Sequence, residues 1–332
     1  MNQRFVLGAV LLAVALALVG AQVTLRARRP IGPGVWYPAD ATQLRAAVEQ
    51  YLNEADIIPL PGRFVACVAP QASYPVSGGV AACAFKPLKR GQFDRVIVMT
   101  ASNYASFSGC SIPAVQLYRT PLGDIELDGP AIHQLTVSPY FSLRSVVYRE
   151  EVYTDPEIRR AALHEREHGI EVLLPFLQVQ LGSFKLVPIV IGDLKTYRGE
   201  TDDKAIERVA EELRGIIDDR TFVIVSTDFT RYGVVHDYTP FRQNILSNIA
   251  ALDLEAFRLV EERDYVGFEE YLDKTQNPIG GRIPLLCLMK ALNPTARGVM
   301  LRYDTSGRVT GNPERSISFA AIAFFEPTLP PE

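Results

Sequence analysis

Residues 95–104 read Arg-Val-Ile-Val-Met-Thr-Ala-Ser-Asn-Tyr. From Val96 to Met99 the run is apolar and unbroken, with no polar residue at alternate positions. That is the pattern of a strand covered on both faces rather than one half exposed to water. From Ala101 the chain turns small and polar, as a strand does where it leaves the core. Three more stretches repeat the pattern: Phe64–Ala69 (FVACVA), Leu186–Ile191 (LVPIVI) and Phe222–Ser226 (FVIVS). Toward the carboxyl end, GVMLRY (298–303) and SISFAAIAFF (316–325) are also strand-like.

Between these runs the apolar spacing changes from continuous to helical. Asp40 to Glu54 places Leu44, Val48, Tyr51 and Leu52 on one stripe behind the capping signals Asp40 and Thr42. Helices are also expected over 77–88, 171–181, 202–217, 241–260 and 284–292. Continuous strands interleaved with helices predict an α/β fold with a mostly parallel central sheet flanked by helices on both faces. With no repeat and no long linker, residues 33–327 read as one domain and 328–332 as a tail.

Composition limits function. The chain has 332 residues, 48% of them hydrophobic, enough to bury a sizeable core. Its 34 basic and 38 acidic side chains leave a net charge of −4, so there is no electrostatic footprint for nucleic acid. Four cysteines (Cys67, Cys83, Cys110, Cys287) are too few for a disulfide scaffold. Cys67, Cys83 and Cys287 read as small core residues. Cys110 is the candidate reactive thiol, and a Cys67–Cys83 bridge is conceivable if the domain is exported.

The amino terminus stands apart. Phe5 to Ala21 carries no charge, and Val23 and Leu25 extend the run to about bilayer-spanning length. Arg26, Arg28 and Arg29 follow at once. Residues 1–29 therefore read as a signal or anchor segment with membrane contact through residues 5–25. The expectation is a membrane-anchored or secreted protein on the extracytoplasmic side.

Parallel strands bring their carboxyl ends to one edge, where ligands of open α/β sheets collect. Three strand ends are small and polar: Pro70-Gln71-Ala72-Ser73-Tyr74, Ala101-Ser102-Asn103-Tyr104 and Thr227-Asp228-Phe229-Thr230-Arg231. Together they predict a shared polar cleft. Elsewhere His164-Glu165-Arg166-Glu167-His168 satisfies the His-Glu-x-x-His pattern of zinc peptidases. No third histidine follows at metzincin spacing, and the surrounding segment is strongly charged, so a solvated helical face explains it as well.

The same residues shifted by three carry a fuller match. Glu167-His168-Gly169-Ile170-Glu171 followed by Leu174-Pro175-Phe176 resembles the Glu-His-x-x-Glu…Leu-Pro-Phe signature of the Memo-like family, of the AmmeMemoRadiSam system protein B type. Val35-Trp36-Tyr37-Pro38-Ala39 resembles the family's opening Trp-Tyr segment, and Ala69-Pro70-Gln71-Ala72-Ser73-Tyr74 its Ala-Pro-His-Ala-Gly-Tyr. Thr120-Pro121-Leu122-Gly123, Ser226-Thr227-Asp228-Phe229 and Gly281-Arg282-x-Pro284 match further motifs in the same order. The resemblance implies a fold related to the class III extradiol dioxygenases and a metal pocket at the strand ends, with copper or iron as the ion.

The departures from that pattern fall on imidazoles. Gln71 stands where the family has its first histidine, and Ser102-Asn103-Tyr104 where it has Ser-His-His. Arg231 replaces the histidine of Ser-Asp-Phe-x-His, and Gly280 a cysteine found in some members. His168, Glu171 and Asp228 remain. Amide oxygens are poor ligands for iron or copper, and a guanidinium opposes a second cation. No metal site or resident cofactor is therefore expected beyond a weakly held divalent ion. The leading expectation is a non-catalytic binding or assembly module, a pseudoenzyme that takes a protein partner or a small anionic ligand. The alternative is an iron- or copper-dependent oxidoreductase, or a hydrolase with His168 and Asp228 as catalytic residues. Either way Gln71, Ser73, Asn103, Tyr104, Glu171, Arg231 and Arg282 are expected to line the pocket, Arg231 and Arg282 serving as an anion clamp or as surface pairs. A histidine at a helix start, hydrogen-bonded to Glu171 or Asp228, is the plain structural account of His168.

Overall fold

The computed structural model of the protein describes residues 25–143, 163–196 and 198–327. Its core is a set of four parallel strands, β2 (Gly62–Ala69), β9 (Thr221–Ser226), β3 (Arg95–Ala101) and β8 (Lys185–Ile191), adjacent in that order. Among the described residues they form the middle of a nine-stranded sheet. The remaining strands are β4 (Cys110–Ser111) and β7 (Phe141–Ser142) at one side, and β10 (Arg231–Tyr232), β11 (Arg297–Thr305) and β12 (Ser316–Pro327) at the other. The sheet is thus parallel at its centre and antiparallel where β12 meets β2 and where β4 meets β8. All six residues of β9 are buried, as are the central residues of β3. A strand covered on both faces gains nothing from polar alternation, which is why these runs are continuous.

Helices cover both faces. On one, α1 (Ala41–Glu54), α2 (Tyr74–Phe85) and α4 (Leu174–Leu181) pack together over β2 and β12. On the other lie α5 (Asp203–Arg214), α6 (Ile245–Glu262), α7 (Tyr265–Thr275) and α8 (Arg282–Ala291). Two short helices, α3 (Gly129–Leu135) and α9 (Ser306–Thr310), complete the set among the described residues. The predicted stripe of α1 buries Leu44, Val48 and Leu52, and Asp40 caps the helix by accepting from Gln43 N at 2.9 Å. The expected 171–181 helix is split: Glu171–Leu173 is a 3-10 turn and the α-helix starts at Leu174, with Pro175 in its first turn. The expected 241–260 helix starts only at Ile245.

Register sets the site. Thr100 pairs with Ser226, and Ser226 with Ala69, so three strands end level at one edge. Gln71, Asn103 and Asp228 leave the sheet side by side as a result. Gly281 caps α8 against this edge: a Cβ there would lie 2.2 Å from Thr227 Oγ1.

A second, three-stranded sheet corrects the reading of the amino terminus. Its strands are β1 (Ala27–Arg28), β5 (Leu117–Thr120) and β6 (Gly123–Glu126), and β1 runs parallel to β5. Within the basic run after residue 25, Arg28 is therefore a core residue, while Arg26 and Arg29 stay exposed. Arg28 is buried inside the domain, which begins ahead of the boundary drawn at 33. No helix among the described residues is long and apolar enough to cross a membrane, which argues against the expected membrane-anchored localisation. The expected span through residues 5–25, as far as Thr24, lies outside the described residues, as does the tail 328–332.

The cysteines are all free and buried, so Cys67 and Cys83 form no bridge. Burial pushes the Cys110 thiol well above its ordinary value, with nearby Cys287 adding to the rise, so Cys110 is no reactive thiolate.

Substituting Gly281→Ala forces Thr227 away from the strand edge. Overpacking of this kind costs about 1–3 kcal/mol. Urea unfolding should show a lower midpoint at unchanged slope.

Candidate functional site

One hydrogen-bonded chain of side chains runs along the strand-end edge. Asp228 Oδ1 accepts from the Gln71 N–H at 3.1 Å. The Gln71 side chain accepts from Thr100 Oγ1 at 3.0 Å and donates from Nε2 to Asn103 Oδ1 at 3.4 Å. Asn103 Nδ2 donates in turn to Glu167 Oε1 at 2.7 Å, and its backbone N–H to Glu167 Oε2 at 3.0 Å. The Gly169 N–H gives Glu167 a third donor at 3.0 Å. Gly169 is glycine for a steric reason, since a Cβ would come within 2.4 Å of Gln71 Oε1. The expected cleft residues Gln71, Asn103 and Asp228 therefore do converge, and Glu167 joins them.

His168 takes different partners from those expected. Its Nδ1 shares a hydrogen bond of 2.8 Å with the Tyr104 hydroxyl, and its ring stacks on Trp36 with centroids 3.9 Å apart. Neither Glu171 nor Asp228 holds it. Burial, with Arg231 and Arg28 nearby, depresses the imidazole to about 4, so at neutral pH it is uncharged. Glu167 Oε1 lies 3.8 Å from Nδ1.

Glu171 does not line a pocket. It is fully buried and faces the amino-terminal strap, residues 27–37. It accepts from the Gly32 N–H at 2.7 Å, from the Ile31 N–H, from the Tyr37 hydroxyl and from the Arg28 guanidinium. Arg28 also donates from Nε to His164 O at 2.7 Å and from Nη2 to Glu167 O at 2.8 Å, while lying 4.7 Å from the Tyr118 ring centroid. The motif Glu167-His168-Gly169-Ile170-Glu171 is thus a junction. Its first glutamate holds the loop after β3, and its second holds the strap.

The other expected residues separate. Arg231 sets Nη2 3.8 Å from Asp228 Oδ2, and Gly280 leaves room beside its guanidinium. Arg282 donates to Glu269 Oε1 at 2.8 Å and to Thr201 Oγ1 at 3.1 Å, so it is already paired. Ser73 caps the start of α2 with its backbone carbonyl, which accepts from Ser77 Oγ, and stays out of the chain. In the His-Glu-x-x-His run, Leu163–Glu165 is a 3-10 turn and the chain leaves helix before Glu167, so the two histidines do not share a helical turn. His164 Nε2 is 3.0 Å from Ser111 O. Among the described residues, no three His, Cys, Asp or Glu side chains gather at metal-binding distance.

Beyond Asn103 and Tyr104 opens a cleft of about 830 Å³. Arg282, Lys195, Glu200 and Asp203 line it, along with Glu269 and Asp273. Besides Glu167, three contributors were not read as site residues from the sequence. Arg28 was hidden in the basic run, Trp36 served only as a motif landmark, and Thr100 passed as the last residue of a strand. A polar residue ending a fully apolar strand is the signal that would have found Thr100.

An α/β domain with a polar strand-end cleft and a Glu-His-x-x-Glu junction defines the class. The Memo-like protein family model matches residues 28–323, and the chain belongs to that family. It is 29% identical over 305 residues to the protein memo-1 homolog of Caenorhabditis elegans, covering 88% of this chain and 81% of that one. Similarity to protein MEMO1 of Xenopus laevis (29% identity) and of Homo sapiens (28%) covers 87% of this chain and 94% of each relative.

Burial raises Asp228 from 3.8 to about 6, outweighing the lowering by Arg231 and the Gln71 N–H. A carboxyl raised in this way stabilises the fold fully below its unfolded value and loses that contribution as pH climbs through about 6. At roughly 1.4 kcal/mol per pH unit, the loss is about 3 kcal/mol. Asp228→Asn should therefore be about 2–3 kcal/mol more stable than wild type at pH 7, the gap closing below pH ~4. Urea midpoints across that range check it; a wild type more stable at pH 7 would refute it.

Proposed function

We propose that this Memo-like chain no longer performs metal chemistry at its strand ends and acts as a non-catalytic binding or assembly module. One observation carries the reading: two amides, Gln71 and Asn103, hydrogen-bonded to each other and on to Glu167, stand where the resemblance places imidazole ligands. Those donors do not fit an iron or copper ion. The two amides are engaged with each other, with Thr100 and with Glu167. His168 has Nδ1 on the Tyr104 hydroxyl, and the Asp228 carboxyl faces a guanidinium. A neutral amide oxygen offers neither charge nor a soft lone pair to a transition ion.

Charge favours a protein partner over a small anion. The described cleft lining carries Asp193, Glu200, Asp203, Glu269 and Asp273 against Lys195 and Arg282. Both cations are already matched, Lys195 to Asp193 at 3.4 Å and Arg282 to Glu269 at 2.8 Å. A basic segment of a partner suits this lining better than a phosphate or carboxylate does. The oxidoreductase and hydrolase readings need His168 as ligand or base. An imidazole depressed to about 4, stacked under Trp36, is a weak base at neutral pH.

Metal analysis tests the reading. Dialysed wild type should retain well under one iron or copper per chain. The variant Gln71→His, Asn103→His, Arg231→His should gain affinity by at least about tenfold, because imidazoles return and the guanidinium leaves. A wild type that keeps about one ion per chain through dialysis would end the proposal.

A further inference from the structure

We propose that Arg231 is the receptor for a carboxylate at the edge of the cleft. The proposal deepens the binding-module reading and rests on it for the occupant: the acidic lining takes a basic side chain of the partner, and Arg231 takes a carboxylate carried by the same segment.

Arg231 is a cation that the fold leaves underused. Its Nε is buried and has no hydrogen-bond partner. Among the described residues its ion-pair partner is Asp228, whose Oδ2 lies 3.8 Å from Nη2, beyond hydrogen-bond range. Arg28 and Arg282 differ, since each donates to a carboxylate and to a second oxygen acceptor. A guanidinium presents five N–H donors in a planar fork, and leaving them unmatched in a partly buried place is costly. A ligand that accepts from the terminal nitrogens uses donors that the protein leaves idle.

The guanidinium is also fixed and reachable. Pairing of β10 with β12 sets Arg231 opposite Ile317, and the preceding Thr230 N–H donates to buried Asp253 at 3.3 Å. The Arg231 side chain is 27% exposed. It borders the cleft at the lining residue Gly280, where a Cβ would lie 3.2 Å from Nη2. With only hydrogen there, the cleft wall gives onto the fork. A root fixed in advance leaves little ordering to be done on binding.

Local charge selects a monoanion. Burial first and Arg231 next depress the His168 and His236 imidazoles, so the field of the guanidinium reaches both. Arg315 acts on His236 in the same sense. A carboxylate matches the planar fork with two parallel hydrogen bonds. A phosphate dianion would meet twice the repulsion from Asp228 and from the acidic lining.

The test titrates the full chain by calorimetry, at equal ionic strength, with four probes: N-acetyl-lysyl-alanine, its carboxamide, acetate and inorganic phosphate. The free acid should bind at least about tenfold more tightly than the carboxamide, as a charged, bidentate contact requires. Arg231→Gln should erase that ratio, with its urea midpoint showing that the variant is folded. A peptide acid tighter than acetate assigns the carboxylate to a partner chain; acetate as tight as the peptide assigns it to a free small acid, and either supports the receptor. Three results overturn it: acid and carboxamide that bind wild type alike, which needs no variant; phosphate tighter than acetate; or an acid preference that survives Arg231→Gln. The last is the signature of a retained metal ion, which would draw the acid to both proteins. Failure of the metal-free reading is thereby distinguished from failure of this proposal alone, in which no preference exists at all.

Discussion

The Arg28–Glu171 ion pair is the contact on which the site depends. Both partners are buried, and burial of two charges is tolerated only where every remaining donor and acceptor is matched. Glu171 meets that condition with two backbone N–H groups and a phenol besides the guanidinium. Arg28 meets it with two backbone carbonyls of the segment that carries His168, and with the face of Tyr118. The carbonyl of Glu167 is one of the two, so the ion pair also fixes where the next residue, His168, points. Deleting either partner would leave a buried charge alone, a cost of about 3–5 kcal/mol. The pair therefore belongs first to architecture, and through architecture to the site.

That arrangement changes the meaning of the Glu-His-x-x-Glu signature in this chain. Two carboxylates around a histidine look like acid–base machinery. Here each carboxylate is buried and satisfied, and each ties down a different segment: Glu167 the loop after β3, Glu171 the strap. The histidine between them is held by aromatic residues, Trp36 by stacking and Tyr104 by a hydrogen bond. Packing and hydrogen bonding hold every member of this junction in place.

Much of the fold was legible because its signals are collective. Val96 to Met99, Phe222 to Val225 and Phe64 to Ala69 each announce a doubly covered strand by an unbroken apolar run. Level strand ends then place Gln71, Asn103 and Asp228 together without knowledge of any side-chain contact. Single long-range contacts gave no such signal. Arg28 sits two residues after a basic neighbour and three after an apolar run, the same local pattern as a membrane flank. Only its partner 143 residues away shows it to be a core residue. Glu171 misled in the opposite direction, since a carboxylate beside a histidine is read as facing a pocket. Cys110 did the same: its loop-like neighbourhood conceals a buried strand residue.

Asp228 shows which force prevails at the strand-end edge. Arg231 lies 3.8 Å away, and the Gln71 N–H donates to the same carboxylate; both favour the charged form. Burial nonetheless wins and lifts the group to about 6. The guanidinium is too distant for a direct hydrogen bond, while the carboxyl itself is only 5% exposed. An ion site would need this carboxylate charged and its surroundings electron-rich. Instead the adjoining positions hold two neutral amides and one fixed cation. Each of the three disfavours a transition ion by a different route, the amides through weak donation and the guanidinium through repulsion. The edge keeps its shape because the two amides hydrogen-bond to each other, to Thr100 and to Glu167.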